Sequence, residues 1–270
     1  MVPELTSNES SPSEFDHQFV SGGQPAVIRG GVCASSKCGE WNWEHLRQRV
    51  GEHRVRLVSS ATGVFNPNVG VDVSEETLNE ALNRLTGQGD DSQEHFYVMQ
   101  QSIPDRFAEL ADEVGDPPLM PTRGTVRHTN LWLSGAGCVT PLHFDRKHNF
   151  LVQIEGRKEL TLFHPKETPK LYPALHSSHR HISEVDLDAI DHERFPRFAE
   201  AVAETVILNP GEELFIPSGW WHHVRSLDAA ISVNFFWNTP TMEWHARFDR
   251  LVRGIRKLGG SLLRAAGLKK

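Results

Sequence analysis

Cysteine is scarce in this 270-residue chain, with Cys33, Cys38 and Cys138 making up the whole set. An odd number, without a second pair to complete a four-thiolate site, favours neither a disulfide framework nor a zinc finger and points to the cytosol. Long hydrophobic runs are missing as well. Nowhere do about eighteen apolar residues follow one another, so no membrane span is expected. The opening "MVPELTSNESSPSEFDHQF" has neither the basic start nor the apolar stretch of an export signal. Its Ser, Glu and Pro content predicts loose order over about the first fifteen residues. No internal repeat is present. Positive charge is short in the body: residues 241–270 carry eight Lys/Arg against Glu243 and Asp249, a net of +6 that leaves −13 for the rest of a chain of net −7. An acidic body lacks the broad basic surface of a general nucleic-acid binder, and only the basic tail suits such a partner.

The 38% hydrophobic and 23% charged content suits one sizeable globular domain with appendages. "QPAVIRGGV", "HRVRLVSS" and "EHFYVMQQ" read as strands. "EWNWEHLRQRVG" and "SEETLNEALNRLTG" read as helices, the latter starting at Ser74 with acids in its first turn and a glycine stop. From about residue 124 the pattern becomes short β runs divided by Gly, Pro and Asp turns, which predicts an antiparallel double-sheet jelly roll. A polar, His-rich interruption at 165–205 predicts a loop with a helix near "ERFPRFAEAVAE". Trp244, Phe248, Leu251, Val252, Ile255 and Leu258 share one helical face, so a C-terminal amphipathic helix over 243–258 is expected to pack on its own domain or pair two subunits as a homodimer. The organisation is therefore a supporting region over 1–122, a jelly-roll core over 123–240 and a helical segment over 241–270.

Chemistry concentrates in "TPLHFDRKHNF", residues 140–150. On a strand, His143 and Asp145 project to one side while Phe144 points to the other. A third ligand must come from another strand, and "IPSGWWHHV" offers His222 and His223. Two histidines and a carboxylate on one face of a metal leave three positions open, the arrangement of non-haem Fe(II) oxygenases. An H-x-D triplet alone is more often a hydrogen-bonded structural pair. Here Thr140, Asn149 and Lys158 add a hydroxyl, an amide and a cation that together could hold a dicarboxylic acid. Lys158 at a strand start is by default solvated. His148 reads as a surface residue or a support for the metal ligands. His176, His179 and His181 lack a thiol or carboxylate at ligand spacing. Trp220 and Trp221 read as core packing.

"TNLWLSGAGCVTPLHFDRKHNFLVQIEGRKELTLFHP" with "GEELFIPSGWWHHVRSLDAAISVNFFW" resembles the catalytic core of the JmjC-type, cupin-like 2-oxoglutarate oxygenases, in particular the hydroxylase branch that includes the asparaginyl hydroxylase of hypoxia-inducible factor. The resemblance implies a double-stranded β-helix in which His143, Asp145 and His222 bind Fe(II). It also implies that Lys158 holds the distal carboxylate of 2-oxoglutarate with Thr140 as its hydroxyl partner. Asn149, Asn234 and Tyr97 would complete that pocket. The implied activity uses O2 and 2-oxoglutarate, releases succinate and CO2, and hydroxylates a C–H bond of a protein, peptide or amino acid. A JmjC-type demethylase and a tRNA-base hydroxylase would use the same centre. From other classes, a zinc hydrolase leaves Lys158, Thr140 and Asn149 without a joint purpose, and a non-catalytic cupin-like binder keeps the ligands without turnover.

Overall fold

The computed structural model describes residues 1–67, 70–87, 94–121, 128–174, 179–239 and 242. Thirteen strands dominate these residues: β1 (Glu4–Thr6), β2 (Ala26–Arg29), β3 (Arg54–Ser60), β4 (Asp72–Thr77), β5 (His95–Ser102), β6 (His128–Ser134), β7 (Val139–Phe144), β8 (His148–Glu155), β9 (Lys158–Phe163), β10 (Ala203–Leu208), β11 (Glu212–Ile216), β12 (Trp221–Ser226) and β13 (Ala230–Trp237). They form a nine-stranded sheet in the order β1-β2-β11-β8-β13-β6-β5-β3-β4 and a four-stranded sheet in the order β10-β9-β12-β7. All pairings are antiparallel except β1 with β2. The expected mainly β, cupin-like jelly roll is the fold of the chain.

The central strands β8, β11 and β13 are buried along nearly their whole length, because the large sheet is covered on both sides. Phe150, Val152, Phe215, Val233 and Phe235 join one core with Phe15, Phe19, Leu46 and Leu82 from the N-terminal third. Alternate residues face the small sheet. There Leu151, Leu214 and Ile216 meet Leu160 and Leu162 and fill part of the space between the layers. The remaining part is lined by polar residues and forms the site described below.

Two expectations for the N-terminal region change. The first fifteen residues are not loose: β1 pairs with β2, Ser11 and Glu14 form a reciprocal capping box, and Phe15 is fully buried between Phe19, Phe150 and Phe215. Burial of one large aromatic offsets the ordering cost that polar composition alone suggests. The second predicted helix begins later, spanning Leu78–Leu85, because Ser74 lies in β4, paired with β3. Its true start is Thr77, whose side chain caps Glu80 N–H while the Glu80 carboxylate returns to Thr77. The helix expected near "ERFPRFAEAVAE" is a short 3-10 turn over Pro196–Glu200. The C-terminal helix over 243–258, with the homodimer it would form, and His176 lie outside the described residues. Among those described, no helix is long and apolar enough to cross a membrane.

Candidate active site

His143 lies near the end of β7, and Asp145 follows it directly. His222 stands opposite His143 in the β7–β12 ladder, with ring centroids 4.1 Å apart. The two rings are held alike. His143 Nδ1 is 2.8 Å from the Pro141 carbonyl and His222 Nδ1 is 3.0 Å from the Trp220 carbonyl. A carbonyl can only accept, so each Nδ1 carries a proton and each Nε2 is the nitrogen turned toward the site. His222 Nε2 is 3.6 Å from Asp145 Oδ2, and one donor atom from each of the three residues lies within 4.8 Å of the others. Burial, reinforced by His143, lowers the His222 pKa to about 4 against the pull of Asp145, so the ring is neutral at physiological pH. Two imidazole nitrogens and a carboxylate converging within 4.8 Å fit a divalent transition metal.

A cavity of about 300 Å³ extends from these ligands between the sheets. Lys158, only 1% exposed, lies in its wall with Nζ 5.8 Å from the centre of the Tyr97 ring. No described carboxylate pairs with it, and burial brings its pKa down to about 8. A buried cation without a counter-ion is costly by itself and is complemented by an anionic ligand. Thr140 and Tyr97 share a side-chain hydrogen bond beside it, and burial raises the Tyr97 pKa. The solvated strand-end alternative for Lys158 is thus overturned.

Strict alternation would put Thr140 and His143 on opposite faces. Both line the cavity because β7 bulges: Thr140 to His143 is opposed by Val224 to His222, four residues against three. Pro141 occupies the bulge on an edge strand, where no ladder donor is required of it. Opposite, Asn234 Oδ1 accepts from Asn130 Nδ2 at 3.0 Å and Trp132 Nε1 at 2.9 Å, while its Nδ2 donates to Asn149 Oδ1 at 3.0 Å. This chain orients Asn149 and leaves the Asn149 amide donor directed to no described protein acceptor.

Every residue singled out from the sequence for the metal or the co-substrate, namely His143, Asp145, His222, Thr140, Asn149, Lys158, Asn234 and Tyr97, therefore lines one cavity. His223 faces away into a separate cavity, as adjacency on a strand requires. His148 is not a surface residue: it is 6% exposed, lies against Phe215 and Trp237, accepts the Ser218 N–H, and has its pKa lowered to about 4 by burial. Trp220 and Trp221 are buried, donating to Gly23 O and Thr168 Oγ1. Asn130 and Trp132 were not foreseen, although their period-two spacing on β6 already placed them on one face. His181 and Gln100 also line the cavity. Gln100 has φ 48° beside a β5 bulge, for which the sequence carries no glycine signal.

A family model described as a cupin-like domain matches residues 12–243. Lysine-specific demethylase 8 of Xenopus tropicalis is 32% identical over 251 residues, covering 88% of this chain and 55% of that protein. JmjC domain-containing protein D of Dictyostelium discoideum is 32% identical over 246 residues, covering 84% and 54%. Lysine-specific demethylase JMJ30 of Arabidopsis thaliana is 37% identical over 228 residues, covering 83% and 52%. The chain spans about half the length of these curated relatives. With the metal-competent triad set between the two sheets, this match over most of the sequence shows that the chain belongs to the cupin-like domain family of the JmjC superfamily.

Proposed function

We propose that the protein is an Fe(II)- and 2-oxoglutarate-dependent oxygenase acting on a side chain of a protein or peptide. The observation that carries this proposal is Lys158, a buried cation that no described carboxylate pairs, in the cavity that also presents three metal ligands. His143, Asp145 and His222 would hold the iron. The bound metal would supply the oxidising chemistry, coupling decarboxylation of 2-oxoglutarate to succinate and CO2 with transfer of the second oxygen atom of O2 to a C–H bond. Lys158 and Thr140 bind the distal carboxylate, and Tyr97 positions Thr140 through their hydrogen bond. Asn149, oriented by Asn234, gives a further donor for the co-substrate. The apolar packing around Lys158 excludes water and strengthens its attraction for the carboxylate. A zinc hydrolase would leave this cation unused.

The names of two similar proteins, both lysine-specific demethylases, support an N-methyl group of lysine as the oxidised position. Hydroxylation there gives an unstable hydroxymethyl amine that releases formaldehyde and the free amine. The second proposal is stable hydroxylation at a carbon not bound to nitrogen, the outcome implied by the likeness of the motifs to the asparaginyl hydroxylase branch. The test is anaerobic iron loading, followed by O2 and 2-oxoglutarate with methylated-lysine peptides and with a cell extract, read by mass spectrometry. Formaldehyde with loss of a methyl group supports demethylation, and a retained oxygen supports hydroxylation. Tight 2-oxoglutarate binding without succinate from any substrate pool would instead identify a non-catalytic binder.

A further inference from the structure

A second cavity, of about 660 Å³, lies on the far side of the metal-bearing strands. His222 faces the metal and His223, the next residue of β12, faces this space. His223 is 6% exposed, and its ring makes no hydrogen bond to any described residue. A buried imidazole left without partners is destabilising unless water or a ligand completes it. Around it Val64, Val139, Leu142 and Leu187 form an apolar stretch of wall, beside Thr62, Ser183 and an Arg194 already neutralised by Glu184.

The rim is acidic, and its carboxylates are not equivalent. Glu184 is taken by Arg194 at 2.8 Å, and Asp188, further along the chain and outside the lining, by Arg225. Asp186, between them, is exposed and pairs with no described cation. Its Oδ1 accepts the Asp188 backbone N–H at 3.0 Å, which fixes the carboxylate at the cavity mouth. With Arg194 satisfied by Glu184, the cavity combines an apolar stretch of wall, a carboxylate that no described cation pairs and an imidazole that no described residue hydrogen-bonds.

We propose that this cavity binds a cationic amine or guanidinium carried on a flexible apolar stem. The stem lies along Val139, Leu142 and Leu187, and the head is held by Asp186 with a hydrogen bond to His223. A lysine or arginine side chain of a peptide and a free alkyl amine share this chemistry. The site is separate from the metal cavity, and the proposal does not rest on the oxygenase activity.

Titration calorimetry on the full chain tests it with three probes: N-acetyl-lysine methylamide, cadaverine, and N-acetyl-norleucine methylamide as the uncharged control. Saturable binding of either amine is expected, with none for the norleucine probe. Asp186→Asn keeps the acceptor for Asp188 N–H and removes the charge, so it should weaken binding at least about tenfold. Leu187→Trp should block the apolar stretch, and Asp145→Asn, in the other cavity, should leave binding unchanged. Tighter binding of the capped lysine assigns a peptide source, and tighter binding of cadaverine a free amine. The proposal is overturned by no saturation up to roughly 10 mM. It is equally overturned by equal binding of the norleucine probe, or by loss of binding in Asp145→Asn but not in Asp186→Asn.

Discussion

Thr140 stands opposite Val224 in the β7–β12 ladder although His143, three residues on, stands opposite His222, only two residues from Val224. The extra residue brings a hydroxyl and a metal ligand onto the same face of one edge strand. Thr140→Val keeps the shape and removes the hydroxyl. We expect it to weaken 2-oxoglutarate binding by about ten- to a hundredfold, the worth of one hydrogen bond to a charged group, with metal affinity unchanged. Calorimetry of both ligands checks this, and equal 2-oxoglutarate affinity in the variant would remove Thr140 from the pocket.

The three ligands act as a set. Asp145→Ala or His222→Ala should each lower divalent-metal affinity by roughly a hundredfold or more, whereas His223→Gln should retain it. Anaerobic titration with Co(II), read by its visible absorption, distinguishes the two histidines of the adjacent pair. Metal loss in the His223 variant equal to that in the His222 variant would contradict the assignment.

Lys158 links the co-substrate to pH. Its folded pKa of about 8 lies below the usual lysine value, so the protein without 2-oxoglutarate carries the cost of a buried charge below pH 8 and sheds it as pH rises toward about 10.5. That cost is roughly 3 kcal/mol. Lys158→Met should therefore be more stable than the parent at pH 7, the difference closing between pH 8 and about 10.5, while 2-oxoglutarate binding is lost. In the parent, 2-oxoglutarate affinity should fall as pH passes through about 8. Urea unfolding of both proteins across this range provides the measurement, and a less stable Met variant at pH 7 would count against an uncompensated charge.

Acid should act through three buried histidines. His148, His222 and His223 each have a folded pKa near 4, lowered chiefly by burial. The unfolded chain binds the protons first, so stability is fully present above about pH 6.5 and is lost as pH falls toward 4. Glu213 works in the opposite sense, since burial raises its pKa to about 7 and its contribution grows as pH falls from there. Three groups against one predict a net loss on acidification. His148→Gln should reduce the slope of stability against pH by about one proton; an unchanged slope would show that His148 does not contribute.

Asn234 joins Asn130, Trp132 and Asn149 in one buried network. Asn234→Ala leaves three polar partners without it and should cost about 2–4 kcal/mol of stability by urea unfolding, together with weaker 2-oxoglutarate binding. Loss of less than about 0.5 kcal/mol would mean that water replaces the amide without penalty.

Much of the site was legible because its chemistry recurs at fixed strand spacing: His143 with Asp145 by alternation, Lys158 at the head of the next strand, and His222 after the Trp pair. The bulge at Pro141 was not. An edge-strand proline permits a bulge but does not demand one, so the shared face of Thr140 and His143 rests on tertiary pairing. Phe15 shows the converse at the level of the fold. Local composition predicted looseness, and a single aromatic inserted between Phe19, Phe150 and Phe215 orders the segment. The helix start at Thr77 failed in register, because "SEETLNE" contains two Ser/Thr positions with acids after them and pairing with β3 decides between them.

The nine-stranded sheet has a consequence for how this protein can be divided. β5, which carries Tyr97, is paired with β6, which carries Trp132, so the co-substrate wall is stitched across the boundary near residue 122. A fragment beginning at residue 123 would keep all three metal ligands and still present β6 as a bare edge, a template for another chain. Its first failure would be self-association rather than lost metal affinity, and the least divisible part of the molecule is a seam between strands rather than the metal centre.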